Sequence, residues 1–356
     1  MIKKIYNCIS IHQGGGLIYL SLMHQELDKE GNLLLLDYRV KEKLKIFKNA
    51  KINYFKKGIL RNFLVFMIRY KSFKKYKQYI QNSKRIIYFE EYFLSGIPPL
   101  FRFSSLYSRN FILCQNRNLF NNLYLFNIFK KFSFKFIFYH LIHKSLINLF
   151  LRNSDILIVQ TESMSNLVSS KRPTNKVILK NNYFKNIDKK NYLKNILINS
   201  YPIESSVIND LKILTRSNIL FFYPASYLPH KNHDILFASF IKVAKLIKKN
   251  IKLIVTISEM NIPKRLYSEN IIPVNNLPFY KINEIYKLVD YLIFPSISES
   301  LGLPLLEGKL NKLPIIASDL EFVHDICNPI STFNPFSEES IIDELFKVIS
   351  TNGVMK

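Results

Sequence analysis

The sequence predicts an α/β protein of two domains, each built on a parallel sheet. Three observations carry this. The chain has 356 residues, more than one hydrophobic core usually fills. Hydrophobic residues make up 48% of it, with 29 Phe and 21 Tyr, enough apolar surface to offset chain entropy and to exclude wholesale disorder. Apolar runs of strand length alternate with longer stretches of helical spacing, which is the pattern of βαβ units.

In the first half the expected strands are Lys4 to Ile11, Asn32 to Asp37, Arg85 to Phe89, Asn110 to Cys114 and Asp155 to Gln160. In the second half they are Asn218 to Tyr223, Lys252 to Ile257, Ile271 to Pro273, Tyr291 to Phe294 and Pro314 to Ala317. A polar stretch rich in Asn and Lys, Lys185 to Ser206, separates the two sets. The expected division is a strongly basic first domain over residues 1–190, a second over 191–340, and a C-terminal helix over 341–356 that returns toward the first.

Charge is unevenly distributed. Lys and Arg number 51 against 26 Asp and Glu, a net +25. Residues 1–185 hold 32 of the basic and 9 of the acidic residues, net +23, which leaves +2 for the rest. A bias toward Lys in composition does not produce that asymmetry, so the first half is expected to face a polyanion, either an anionic membrane surface or nucleic acid. Cys8, Cys114 and Cys327 lack the paired spacing of zinc or CxxC sites and read as buried thiols in a reducing compartment. The N-terminal apolar run Ile5 to Ile11 contains Asn7 and Ser10 and opens into glycines, so no signal peptide is expected. No run is apolar enough to span a bilayer, because the nearest, Phe132 to Leu151, carries Lys135, His140, His143 and Lys144.

Arg61 to Tyr79 interleaves aromatic and aliphatic residues with Arg61, Arg69, Lys71, Lys74, Lys75 and Lys77. Two readings fit: an interfacial surface with aromatics among lipid headgroups and cations on their phosphates, or a core helix with a solvated basic face. Phe132 to Leu151 is a weaker interfacial candidate.

Two stretches carry chemistry. Gly14, Gly15 and Gly16 follow the first strand, where a glycine turn lets backbone amides approach a phosphate or sugar, or lets a helix pack tightly on a strand. The spacing is neither GxGxxG nor a P-loop, so dehydrogenase and NTPase readings are poorly supported. The second stretch is Phe294 to Glu307. An apolar strand ends at Pro295-Ser296, Glu299 and Gly302 lie in the loop, Pro304 stands at a first helical position, and Glu307 lies about one turn on. Ligands of open α/β sheets bind at such strand ends, and free amides from Leu303 onward suit an anion. A sugar nucleotide fits, with its diphosphate toward the helix and the carboxylates on hydroxyls of the sugar and the ribose.

The stretch Glu299 to Glu307, with FPS before it and LPIIASD (Leu313 to Asp319) after it, resembles the E-x7-E motif of the retaining glycosyltransferases of family 4. Phe221 to Leu236 is similar to the family's phosphate-binding loop, and Leu277 to Ser296 to the helix before its catalytic strand. The likeness is strong over about Asn218 to Ser350 and looser before that. It implies the GT-B fold, two Rossmann-like α/β/α domains with parallel sheets facing an interdomain cleft. It also implies transfer of a sugar from a UDP- or GDP-sugar to an acceptor hydroxyl with retention, as a hexosyltransferase with no cofactor and no metal. In that reading Glu299 and Lys231 are catalytic, and Glu307, Ser300, Leu301, Gly302, Leu303 and Ser226 bind the donor. Gly14, Gly15, Gly16, Gln115 and Asn116 form the acceptor or phosphate loop. The expected partners are the nucleotide sugar, a lipid-linked or surface-polysaccharide acceptor and an anionic membrane, with the chain peripheral on its cytoplasmic face.

Two departures from the family stand out. Ser226 occupies the position of an Arg five residues before the phosphate-binding Lys, and Gln115 and Asn116 follow the strand that in many members ends on a His. Arg117 and Arg109 are candidate substitute cations. His230 and His233, i and i+3 around Lys231, read as hydrogen-bonding loop residues rather than metal ligands. The alternatives are a degenerate nucleotide-sugar binder without turnover and a basic nucleic-acid-binding protein, the latter without any recognisable motif.

Overall fold

The structure is a computed structural model and describes residues 2–12, 14–41, 47–58, 60–81, 88–94, 103, 106–120, 134–181, 187, 189–190, 192, 206–247, 250–275, 277 and 279–351. The chain divides into two compact units, Met1–Asn122 with Ser133–Asn199, and Leu123–Phe132 with Ser200–Lys356. Every strand pairing in both is parallel.

The first unit has strands β1 (Lys4–Cys8), β2 (Asn32–Asp37), β3 (Lys51–Phe55), β4 (Phe89–Phe93), β5 (Ser108–Leu113), β6 (Ile156–Val159) and β7 (Lys176–Leu179), in the spatial order β3-β2-β1-β4-β5-β6-β7. The inner strand β2, NLLLLD, is buried along its whole length, as expected of a strand covered on both faces. Helix Arg61–Gln81 covers one face, setting Val65, Phe73, Tyr76 and Ile80 against Ile5, Leu33, Leu35 and Phe89. Helices Phe134–Phe150 and Glu162–Lys171 cover the rest of that same face through Ile147, Met164 and Val168, packed with Phe93, Ile112 and Leu157, since Phe93 lies on the side of β4 that Phe89 does and Ile112 and Leu157 are in register with it.

The strand expected at Arg85 to Phe89 lies mostly outside the described residues, and β4 begins where it was to end. Its sequence, FEEYF, puts Glu91 in the sheet at 1% exposure. Burial is possible because Arg69, 2% exposed, donates Nε at 2.8 Å and Nη2 at 3.0 Å to the two carboxylate oxygens. The guanidinium also lies 5.1 Å from the centre of the Phe93 ring and 5.4 Å from that of Phe103. Arg69 therefore does not meet lipid phosphates.

The second unit has β8 (Ile219–Tyr223), β9 (Ile251–Val255), β10 (Ile271–Pro273), β11 (Tyr291–Phe294), β12 (Ile315–Ser318) and β13 (Ser331–Phe333), in the order β10-β9-β8-β11-β12-β13. The strand order reverses between β8 and β11, the doubly wound arrangement whose crevice opens at the carboxyl ends of those two strands. The terminal helix is Glu338–Thr351. Its Ile341, Leu345, Val348 and Ile349 belong to the same core as Leu236, Phe237 and Phe240 of helix His233–Leu246, so its amphipathic face is satisfied within the second unit.

Gly308, in helix Leu303–Leu310, lies where that helix crosses the sheet. A Cβ there would stand 2.6 Å from Leu292 Cδ2 and 3.3 Å from Ile315 Cδ1, both in buried strands. Gly308→Ala is expected to destabilise the second unit by about 1–3 kcal/mol through overpacking. Thermal unfolding checks this, and an unchanged midpoint would mean that helix and sheet separate freely.

Candidate active site

The loops after β8 and β11, neighbours at the strand-order reversal, are stitched together by backbone. The carbonyl of His230 accepts from the amide of Ile297 at 2.9 Å and from Ser296 Oγ at 3.0 Å. Lys231 stands in a short 3-10 turn, Pro229–Lys231, whose end is set by Asn232 at φ 61 and by Tyr223, whose hydroxyl donates to the Lys231 carbonyl at 2.7 Å. The Lys231 ammonium is thereby aimed across the reversal at Glu299, with which it forms an ion pair; the side chains are 16% and 13% exposed. Ser296 Oγ lies 2.7 Å from the same carboxylate oxygen. Burial pushes the Glu299 carboxyl up, but the Lys231 charge, the neighbouring His230 imidazole and the hydrogen bonds from Lys231 and Ser296 outweigh it and hold it below the usual carboxylate range.

Gly302 takes a left-handed φ of 67° and caps helix Leu303–Leu310. Pro304 has no amide hydrogen, and the Leu305 amide donates to the Gly302 carbonyl at 2.9 Å, so of the first three helical positions Leu303 is the one whose amide can serve an anion. The helix-end anion site is narrower than the sequence suggests. Ser300 is half-buried and Leu301 buried in the same loop. Glu307, 5% exposed, faces inward and accepts from the Tyr286 hydroxyl at 2.7 Å, which fixes one carboxylate oxygen. Ser226 is exposed in the loop after β8. Of the candidate substitute cations, Arg117 is buried and donates to Ser163 Oγ at 2.9 Å, and Arg109 lies over the Tyr88 ring at 3.9 Å, so both are engaged within the first unit.

His230 lies in the same turn as Lys231, and His233 opens helix His233–Leu246. Burial, followed by the Lys231 charge, lowers their pKa values to about 4 and about 3. His233 is packed among Tyr223, Tyr227 and Phe237, with ring centroids 4.8, 5.3 and 5.7 Å away. Both imidazoles stay neutral in the fold yet titrate near 6.5 when unfolded, so the unfolded chain binds more protons as the medium becomes acid. Their contribution to stability is complete above about pH 6.5 and is lost as pH falls toward 4 and 3. A melting temperature measured against pH is expected to drop through that window, and His233→Phe, which keeps the aromatic packing, is expected to flatten the drop.

In the first unit the glycines are not the turn that the sequence suggests. Gly14, Gly15 and Gly16 form the first turn of helix Gly14–Leu22, and a Cβ on Gly16 would stand 3.1 Å from Ile11 Cγ2, so close packing on the chain leaving β1 is what Gly16 provides. Gly16, Gln115 and Asn116 do come together, around a cavity of about 330 Å³ whose other polar lining is Ser10 and His143 and whose walls include Ile112, Phe120, Ile147 and Leu151. Sequence reasoning missed His143, which reaches the cavity from helix Phe134–Phe150 and has no local motif around it. It also missed Tyr286, which lies 21 residues from the Glu307 it holds. Ser296 was signalled only by its place in Pro-Ser at a strand end. Among the described residues no group of three or more His, Cys, Asp or Glu could hold a metal ion.

Comparison with known proteins bears on the second unit most directly. Residues 209–352 match the family model of the glycosyl transferases group 1. This group 1 domain contains Lys231, Glu299 and Glu307, and the enzyme class expected from the sequence, a glycosyltransferase of the hexosyltransferase type, is borne out with it. No curated protein gives a significant sequence match. Among solved structures the chain is similar to HepE of Anabaena in complex with UDP and glucose (TM-score 0.63, 13% identity, 99% of this chain and 91% of that one). It is also similar to a sucrose-phosphate synthase from Thermosynechococcus elongatus (0.62, 12%, 99% and 90%) and to WaaG, described as a glycosyltransferase involved in lipopolysaccharide biosynthesis (0.59, 13%, 99% and 91%). At such identities the likeness establishes the fold, GT-B, as expected.

Proposed function

We propose that the chain is a retaining glycosyltransferase of family 4 that moves a sugar from a nucleoside diphosphate sugar to a hydroxyl of a lipid-linked or surface-polysaccharide acceptor, on the cytoplasmic face of an anionic membrane. The observation that carries this reading is the Lys231–Glu299 pair at the strand-order reversal, within the segment that matches the group 1 model, with the Leu303 amide and Glu307 on the helix that follows the Glu299 loop. In it, the negative charge that develops in the transition state lies on the departing diphosphate, and Lys231 with the Leu303 amide stabilises it without a metal. Glu307, oriented by Tyr286, binds ribose hydroxyls, and Glu299 binds hydroxyls of the transferred sugar once Lys231 turns to phosphate. Gly16, Gln115, Asn116 and the cavity they line receive the acceptor. The UDP and glucose held in complex by HepE support the donor class, and the involvement of WaaG in lipopolysaccharide biosynthesis supports a surface-glycan acceptor.

The test is a panel of nucleoside diphosphates and their sugars, read by thermal shift on the wild type and on Glu307→Ala. One diphosphate is expected to raise the melting temperature, and the variant to lose most of that rise. No response to any member of the panel would favour the reading without turnover, which the exposed Ser226 in place of a second phosphate cation makes the natural alternative.

A further inference from the structure

We propose that the first unit enters an anionic lipid bilayer by one tip, formed by the turn after β2, the turn after β3 and the first turns of helix Arg61–Gln81, rather than by lying along that helix. The inference rests on the membrane partner proposed above and deepens it.

Along much of its length the helix is turned to the protein, since Val65, Phe73, Tyr76 and Ile80 are in the core and Arg69 is spent on Glu91, and its later exposed aromatics, Tyr70 and Tyr79, are isolated. Its beginning is different. Leu60, Phe63 and Leu64 are 68%, 60% and 50% exposed within five residues, and Tyr38 on the turn after β2 is 45% exposed. Large apolar side chains so close together at a surface mark a contact with something apolar.

The two turns and the helix start are held as one piece. Arg61 donates to the Ile9 carbonyl at 3.3 Å and lies 3.7 Å from the Asp37 carboxylate, which Arg39 also grips at 2.8 and 2.7 Å. Asp37 is buried and its charge is answered by these two cations, so it does not repel an anionic surface. Lys56, from the turn after β3, lies 5.3 Å above the Tyr38 ring, and Lys41 lies 5.7 Å from it. Lys41 and Lys56 thus border Tyr38, and the exposed Lys57 lies three residues before Leu60 in the chain. Beyond it the exposed face of the helix continues as Tyr70, Lys71, Lys74 and Lys75, and the helix contains no Asp or Glu. An apolar wedge bordered by cations matches a bilayer with anionic headgroups, where the wedge reaches the acyl boundary and the lysines remain at the phosphates. Nucleic acid would use the lysines but has no use for Leu60 and Leu64.

The chain has no Trp, so Phe63→Trp provides a sole fluorescent reporter. With vesicles of phosphatidylcholine containing about one-third phosphatidylglycerol, its emission is expected to shift to the blue, with little change on pure phosphatidylcholine. Leu60→Gln/Phe63→Gln/Leu64→Gln, which leaves the charge unaltered, is expected to weaken cosedimentation with the anionic vesicles by about tenfold or more. These residues are exposed, and an unchanged far-UV spectrum checks that the variant folds. Absence of a blue shift, or full binding by the triple variant, overturns the tip; so does a shift of equal size on duplex DNA, which would assign the surface to nucleic acid. The diphosphate thermal shift reads the donor site separately, so failure of the tip and failure of the proposed function give different results.

Discussion

Lys231→Ala is expected to lower kcat/KM by about two to three orders of magnitude, mostly through kcat. The expected size follows from the proposed mechanism, in which Lys231 is the side-chain cation that answers the charge of the departing diphosphate, in a site largely shielded from water. The loss falls on kcat because that charge is greater in the transition state than in the bound donor. The same substitution leaves Glu299 buried without its main counter-charge. Burial then dominates and the carboxyl pKa rises above the ordinary carboxylate range, where in the wild type it lies below. The sign of the pH dependence reverses with it. In the wild type Glu299 contributes stability above its unfolded pKa and loses it as pH falls; in the variant the folded state binds the extra proton, and stability is lost as pH rises through the new pKa. Melting temperatures of Lys231→Ala between pH 4 and 8 would show the reversal, and Lys231→Ala/Glu299→Gln should abolish it without restoring turnover. Full activity in the single variant would remove Lys231 from the mechanism.

The second large effect concerns the fold. Arg69→Met is expected to destabilise the first unit by about 3–5 kcal/mol, because it strands the Glu91 carboxylate inside a parallel sheet with its desolvation uncompensated. Arg69→Met/Glu91→Leu should recover most of the loss, since an apolar pair of similar volume suits that core as well as the ion pair does. Urea unfolding followed by circular dichroism measures both. The thermal shift expected with diphosphate under the proposed function reports whether the second unit is untouched. Recovery by the double variant is the decisive result: if it is as unstable as the single, packing of the Arg69 guanidinium on the Phe93 and Phe103 rings, rather than the ion pair, is what matters.

These two pairs also show where reading the chain in order stops. Strands with a fully apolar, locally bounded run, such as Asn32 to Asp37 and Tyr291 to Phe294, are legible to the residue. The strands missed were β3, β7 and β13, all at sheet edges, where one side lacks a neighbour and the sequence need not be as apolar. β4 was misplaced because a strand containing Glu90-Glu91 looks like a loop until an arginine 22 residues earlier is known to neutralise it. In the site, Glu299, Gly302 and Glu307 were legible because one strand-loop-helix carries them in fixed order. That Lys231 pairs with Glu299 across 68 residues, that Tyr286 holds Glu307, and that His143 meets Gln115 and Asn116 are products of the fold, with no periodicity or spacing to announce them.

The Lys231–Glu299 pair has one more consequence, for competition in a crowded solution. A lysine left open at a phosphate site would attract every small anion in its surroundings. Here a carboxylate tethered to the neighbouring loop already occupies it, at an effective concentration on the order of millimolar or above. A lone phosphate or chloride that offers a single contact gains little by displacing it. A ligand that also brings a ribose to Glu307, a second phosphate to the Leu303 amide and a sugar to the displaced Glu299 can do so, because it returns a partner to every group that it disturbs. In the proposed mechanism the tethered carboxylate thus acts as a filter, selecting ligands by the number of places at which they bind.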